Sequence, residues 1–283
     1  DEIYAKNSGT WELVFAAFTA TSLVTLSSGS GTFTVPDGAN AIHIQASVGG
    51  GGGAFRGASY DKANGESAGA GGGSGGYVSD KVFTVTEGET ISYSIGSSGA
   101  PNNSIPQRYN GSASAGTNTT ITGSTTGSLF TLTGGGGASA SGGGVQGPLR
   151  NNTSGSAGSN TISGSVITSG NFRDLDGSTK SVTTLTSGPV GTFNQSGNGV
   201  VGANPGNCGG DNCQIGGGTG GSSYAGVVNG GAGSPQGGSA GGSAGTRGSG
   251  GGGGGAQYGV EEVAGHGAAG GNGEVQYRFL RVN

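Results

Sequence analysis

Three stretches carry the Gly-x-Ser-x-Gly spacing that sets a nucleophilic serine on a tight turn: Gly65-Glu66-Ser67-Ala68-Gly69, Gly237–Gly241 and Gly241–Gly245. Such a serine needs a strand-to-helix elbow and a histidine positioned to take its proton. Only His43 and His266 are present, and His43 falls inside an alternating strand pattern. With 72 glycines in 283 residues the spacing is expected by chance, so no catalytic residue is assigned. Gly-x-Gly-x-x-Gly spacings recur as well. No helix-forming segment follows them, so no helix N-terminus awaits a phosphate. None of Lys6, Lys62, Lys81 or Lys180 follows a glycine, as a phosphate-binding loop requires.

Asp174-Leu175-Asp176-Gly177-Ser178 opens like a calcium loop, with oxygens at alternate positions. Lys180 then occupies the seventh place, and Leu185 stands where a bidentate Glu belongs. A tight hairpin turn at Asp176-Gly177 is the stronger expectation. Cys208 and Cys213 flank Gly-Gly-Asp-Asn. They fit two reduced thiols in a loop, or a disulfide closing a small turn outside a cell. Two thiols cannot complete a four-ligand zinc site. Neither metal nor cofactor is expected.

Charge makes up 9% of the chain and its net value is −4, without a Lys/Arg stripe, which argues against nucleic acid as a partner. The richest apolar run, Leu13 to Phe18, is too short to cross a bilayer, so no membrane insertion is expected. With no methionine and Asp1 in first place, upstream residues or cleavage of a precursor are expected. What remains for chemistry is contact. Phe55, Arg56, Tyr60, Arg108, Tyr109, Arg150, Phe172, Arg173, Tyr224 and Tyr258 all lie between glycine runs. Tyr and Arg often carry binding energy, and loops on a rigid scaffold are where recognition concentrates. The alternative for each aromatic alone is a place in a small satellite core.

The elements that must hold these residues are strands and glycine. Residues 1–28 read as a β attachment segment, two short strands around Asn7-Ser8-Gly9. From residue 31 a second unit begins. Ile42, Ile44, Ala46 and Val48 alternate with polar residues, as do Ile91, Tyr93 and Ile95, so each stretch buries one face. Further strands are expected from Tyr77 to Val85, Ser128 to Thr133 and Glu274 to Val282, together forming one modest β-sandwich-like core. A long Ser/Thr/Asn-rich insertion near 145–215 is expected to supply an extra hairpin over Asn171 to Thr184, or the recognition tip itself.

Glycine and proline exceed a quarter of the chain, while Leu, Ile, Val and Phe fall below a fifth. That composition normally means disorder. Each glycine costs about 1 kcal/mol in a helix relative to alanine, and no Gly-X-Y register for collagen persists. The ordered option is polyglycine-II-type helices, packed side by side where missing side chains let backbones meet. Central helices then need consecutive glycines, as in Gly49–Gly53 and Gly250–Gly255. Rim helices tolerate Ser and Ala, as in Gly237 to Ala244. The expected fold class is all-β with an irregular glycine-rich region.

The order of these pieces resembles a glycine-rich domain of bacteriophage tail fibres and tail-tip adhesins. Thr32 to Gly38, Gly49 to Gly53, Gly75-Gly76-Tyr77-Val78, Thr86 to Thr90, Leu129 to Gly137 and Gly270 to Tyr277 carry it, and Ile3 to Val14 resembles short units of tail proteins. The resemblance spans residues 31–283. It implies a non-enzymatic virion tail protein, extracellular, that binds a bacterial surface protein or glycan. It implies a homotrimer whose N-terminal unit joins other tail proteins. A purely architectural role in a virion or cell-surface filament competes with this reading. Ice binding is a third, and irregular loops argue against it.

Overall fold

The computed structural model describes residues 3–7, 9–15, 18–54, 66–67, 69–103, 111–141, 151–203, 207–208, 214–215, 217–233, 242–254, 256–257 and 265–283. The expected alternation is realised in two antiparallel sheets. Five strands run in the order Asn160–Ile162, Gly127–Leu132, Thr119–Gly123, Thr90–Ser94, Ser30–Thr34. The second sheet runs Val166–Ile167, Tyr77–Thr84, Ala41–Val48, Glu274–Leu280, Val24–Leu26, and Gln195–Gly197 pairs with Tyr77–Thr84. Ile42, Ile44, Phe83 and Phe279 of one sheet meet Ile91, Ile121, Phe130 and Leu132 of the other. Phe83 and Phe130 lie 5.8 Å apart, and Phe33 stacks on Tyr277 at 4.4 Å. Each such side chain contributes about 1.5–3 kcal/mol by leaving water. This is the expected sandwich.

One carboxylate ties its turns together. Glu89 accepts the N–H groups of Thr86, Thr125 and Thr126 at 2.7, 3.0 and 3.0 Å. Burial pushes its pKa upward, but these donors outweigh that and hold it below the usual carboxylate range.

Ile3–Asn7 and Thr10–Phe15 form the expected N-terminal hairpin, with Asn7 opposite Thr10 and Gly9 at φ +93°. The 1–28 boundary is corrected. Val24–Leu26 pairs with Glu274–Leu280, and Ala20 is buried in the body of the protein, so residues 18–28 belong to the sandwich. The 145–215 insertion is likewise a sandwich element wherever it contributes strands to the two sheets. Its Asn171–Arg173 and Thr179–Ser181 strands make the expected hairpin, turning through Asp174–Gly177 with Gly177 at φ +77°. Phe172, Val182 and Leu185 from this hairpin region pack on Ala41, Val82 and Leu280. Val82 and Leu280 adjoin Phe83 and Phe279, which face the sandwich core, so this second core lies on the sheet's opposite face.

The glycine runs hold each other through the main chain. Gly49 and Gly52 donate to Gly76 and Gly73; Gly50 and Gly53 donate to Thr117 and Ser114. Gly51 and Ala54 donate to Gly271 and Ala268, all at 2.8–3.1 Å. Every third residue therefore addresses the same neighbour. The carbonyls accept from other runs: from Gly135 and Ala138, from Gly99 and Asn102, and from Gly251. Residues 69–76 follow the same rule, with Gly69, Gly72 and Gly75 donating to Gly254, Gly251 and Gly248.

A Cβ on Gly51 would overlap the Ser249 carbonyl, and one on Gly72 the Gly52 carbonyl. Glycine is required there because no atom can be added. Ser74 is admitted to the interior because its hydroxyl is satisfied, donating to Ser222 O and accepting from Val200 N. On the rim, Gly155 and Gly158 turn inward while Ser156 and Ser159 are exposed. Ser243 and Ala244 are exposed likewise, as the sequence predicts for that stretch.

Candidate functional site

The lattice has two ends. At one, its runs pass directly into the sheets: Val48 into Gly49, Gly76 into Tyr77, Leu132 into Thr133, Gly273 into Glu274. At the other, the described chain stops after residues 54, 103, 141, 203, 233 and 254 and resumes by residues 66, 111, 151, 207, 242 and 265. Hydrogen bonds bring these stations together: Ala54 N to Ala268 O at 2.9 Å, Gly69 N to Gly254 O at 2.7 Å, Gly71 N to Ala203 O at 3.1 Å and Gly242 N to His266 O at 2.9 Å. Asn103 and Gly267 bond to each other twice, at 2.8 and 3.2 Å. Four short strands also belong here, Glu66–Ser67 pairing with Asn207–Cys208 and Gln214–Ile215 with Ala256–Gln257. Ser67 thus sits in a strand pair rather than at a strand-to-helix elbow.

Phe55, Arg56, Tyr60, Arg108, Tyr109, Arg150 and Tyr258 lie outside the described residues, as does Cys213. What is established is that the chain departs toward all of them, and returns, at this distal end.

Two candidates are corrected. Phe172 is 1% exposed, held in the second core with Arg278 above its ring at 5.6 Å. Tyr224 is 0% exposed, packed 5.6 Å from Tyr77 beside Ala46 and Val48, and burial pushes its phenol pKa up. Neither can touch a partner. Both fill satellite cores, the alternative open to each aromatic taken singly. Arg173, next to Phe172, is exposed on the insertion hairpin.

A cluster that the sequence reading did not single out lies on the outer face of the six-stranded sheet. His43 Nε2 is 3.3 Å from Asp80 Oδ1, and its Nδ1 accepts Arg278 Nε at 3.3 Å. The arginine therefore fixes the tautomer, and Nε2 carries the proton toward Asp80. Burial is the main cause that keeps His43 below its ordinary pKa and neutral. With both ring nitrogens engaged, it has no lone pair free to act as a base. Asp80 bulges from its strand at φ +49° and accepts Gly188 N at 2.9 Å.

Arg278 continues the chain of contacts, donating Nη1 to Asp174 Oδ1 at 2.8 Å, and Lys180 donates to the other Asp174 oxygen. Burial works to raise the Asp174 pKa, but the Lys180 bond, Leu175 N–H and Arg278 charge hold it low. This network pins the insertion to the sheet. Beside it opens a cleft of about 420 Å³, lined in part by Leu23, Gln45, Lys180, Ser187 and Arg278. Among the described residues no three His, Cys, Asp or Glu gather to hold a metal ion.

An antiparallel sandwich whose connecting runs bond main chain to main chain defines a glycine-rich structural domain. The family model described as a glycine-rich domain matches residues 25–280, and the chain belongs to that family. No curated protein matches the sequence.

Proposed function

We propose that this chain is the host-recognising end of a bacteriophage tail fibre or tail tip, binding a bacterial surface protein or glycan without breaking bonds. The observation that carries this reading is the gathering of chain departures at the distal end. Phe55, Arg56, Tyr60, Arg108, Tyr109 and Tyr258 belong to segments anchored there on a scaffold of bonded backbone. A rigid support lowers the ordering cost of contact, because its loops start from fixed ends. The three-residue hydrogen-bond register supports polyglycine-II-type helices as the material of that scaffold. In this reading the N-terminal hairpin joins the rest of the tail, and the chain works as a homotrimer outside the cell.

Fluorescently labelled protein incubated with a panel of bacterial strains tests it. Decoration of a narrow subset of strains is expected, with loss of decoration when Phe55, Arg56 and Tyr60 are replaced by Ser and thermal unfolding is unchanged. If no strain is decorated, or the triple variant decorates as before, the reading fails, and a purely architectural role takes its place.

A further inference from the structure

We propose that the cleft between the insertion and the six-stranded sheet is a second binding site, one that takes an acidic sugar of the hexuronate type. Arg278 lines it with two of its three nitrogens committed, Nε to His43 and Nη1 to Asp174. Nη2 has no hydrogen-bond partner among the described residues, so its N–H donors are left for a ligand. Lys180, another lining residue, has a side chain 43% exposed and brings a second cation. Asp174 balances one of these two charges. Taken together the three groups carry one net positive charge, which suits a monoanionic carboxylate.

The remaining lining explains the sugar. Thr186 and Ser187 are exposed hydroxyls that can donate or accept, and the Gln45 amide, held by Ser187 O at 3.2 Å, offers its oxygen. Such groups match a ring of hydroxyls better than they match an apolar side chain. Leu23 and Leu175 are 41% and 56% exposed on the rim, rare large apolar groups on this Ser/Thr-rich surface. They offer aliphatic contact to the C–H face of a pyranose. The volume of about 420 Å³ falls within the roughly 300–1,000 Å³ of small-molecule sites. The site lies on the sandwich, away from the distal end, and stands independently of what the distal segments bind.

The test is titration of isotope-labelled full chain with galacturonate and glucuronate, using galactose and glucose as uncharged arms, and following the Arg278 Nε and Ser187 amide resonances. Saturable shifts with either uronate are expected, with the matching neutral sugar weaker by about tenfold. Lys180→Gln is expected to weaken the uronate by a similar factor, and Ser187→Trp, at an exposed position, to abolish binding by filling the cleft. No shift with either uronate overturns the proposal. Equal shifts with charged and neutral sugars overturn it too, as does unchanged affinity in both variants. The comparison of sugars on the unaltered chain decides the matter even where a variant loses its fold. Cell decoration plays no part in it, so failure here leaves the distal reading standing, and the reverse.

Discussion

The sandwich and the glycine lattice of this molecule are held by opposite means. In the sandwich, side chains such as Phe83, Phe130 and Ile121 are withdrawn from water, and the backbone bonds follow the strands they sit on. In the lattice there is almost nothing to withdraw. Gly51 touches its neighbours only through main-chain atoms, and its N–H and C=O are both bonded across to other runs, to Gly271 and Gly99. One region is specified by what its residues carry, the other by what they lack. Tolerance to substitution should therefore be inverted between them: a core of side chains suffers when atoms are removed, and a core of backbone suffers when atoms are added.

The largest effect is expected from addition at the lattice centre. Gly51→Val places a side chain on the Ser249 carbonyl and, with backbone unable to give way, should cost more than about 4–5 kcal/mol in urea unfolding. The same residue introduced on the rim, Ser243→Val, should stay within about 0.5 kcal/mol. Similar costs at both positions would mean the runs do not hold one another as described. Next in size is removal from the sandwich. Phe130→Ala should cost about 3–5 kcal/mol by cavity formation, measured the same way.

The smallest effect concerns charge. Glu89→Gln should cost about 1–3 kcal/mol at neutral pH, since buried N–H groups lose a charged acceptor. Because the native Glu89 pKa lies below the ordinary 4.5, its contribution is complete above that pH and drains away below it, and the variant should flatten this part of the acid limb. His43 acts in a higher window. Its native pKa lies below the ordinary 6.5, so beneath that pH the unfolded chain takes up a proton the native chain refuses. Stability should start to fall there in both proteins, as thermal melts across pH 4–7 would record.

Much of the sandwich was legible in the sequence, because alternation at Ile42, Ile44, Ala46 and Val48 is a period-two signal that sheet burial alone explains. Thr119–Gly123 escaped, since Thr-Thr-Ile-Thr-Gly offers one apolar residue and no alternation. In the lattice, the need for consecutive glycines could be read, but the pairing of runs could not. Glycine carries no side chain to encode a partner, so neighbours are assigned by the strands that feed each run. The errors at Phe172 and Tyr224 share a cause: position between glycine runs says nothing about facing. Phe172 did offer a hint, since polar Asn171 and Arg173 flank it in the pattern of a strand with one face inward. Arg278 was also within reach. It alternates with the inward Tyr277 and Phe279 and had to meet whatever covered the sheet's other face.

The wiring of the lattice also bears on how the chain comes to be folded. Gly51 is bonded to Gly271, and the Glu274–Leu280 strand is inserted between Val24–Leu26 and Ala41–Val48. Elements made early in synthesis thus wait for a strand made after every lattice run before their sheet can close. Contacts so distant along the chain slow the search for the native state, and a nascent chain of this kind exposes unpaired edges until its last described strand arrives. Assembly is therefore expected to be late, all at once, and dependent on protection of the unfinished polypeptide.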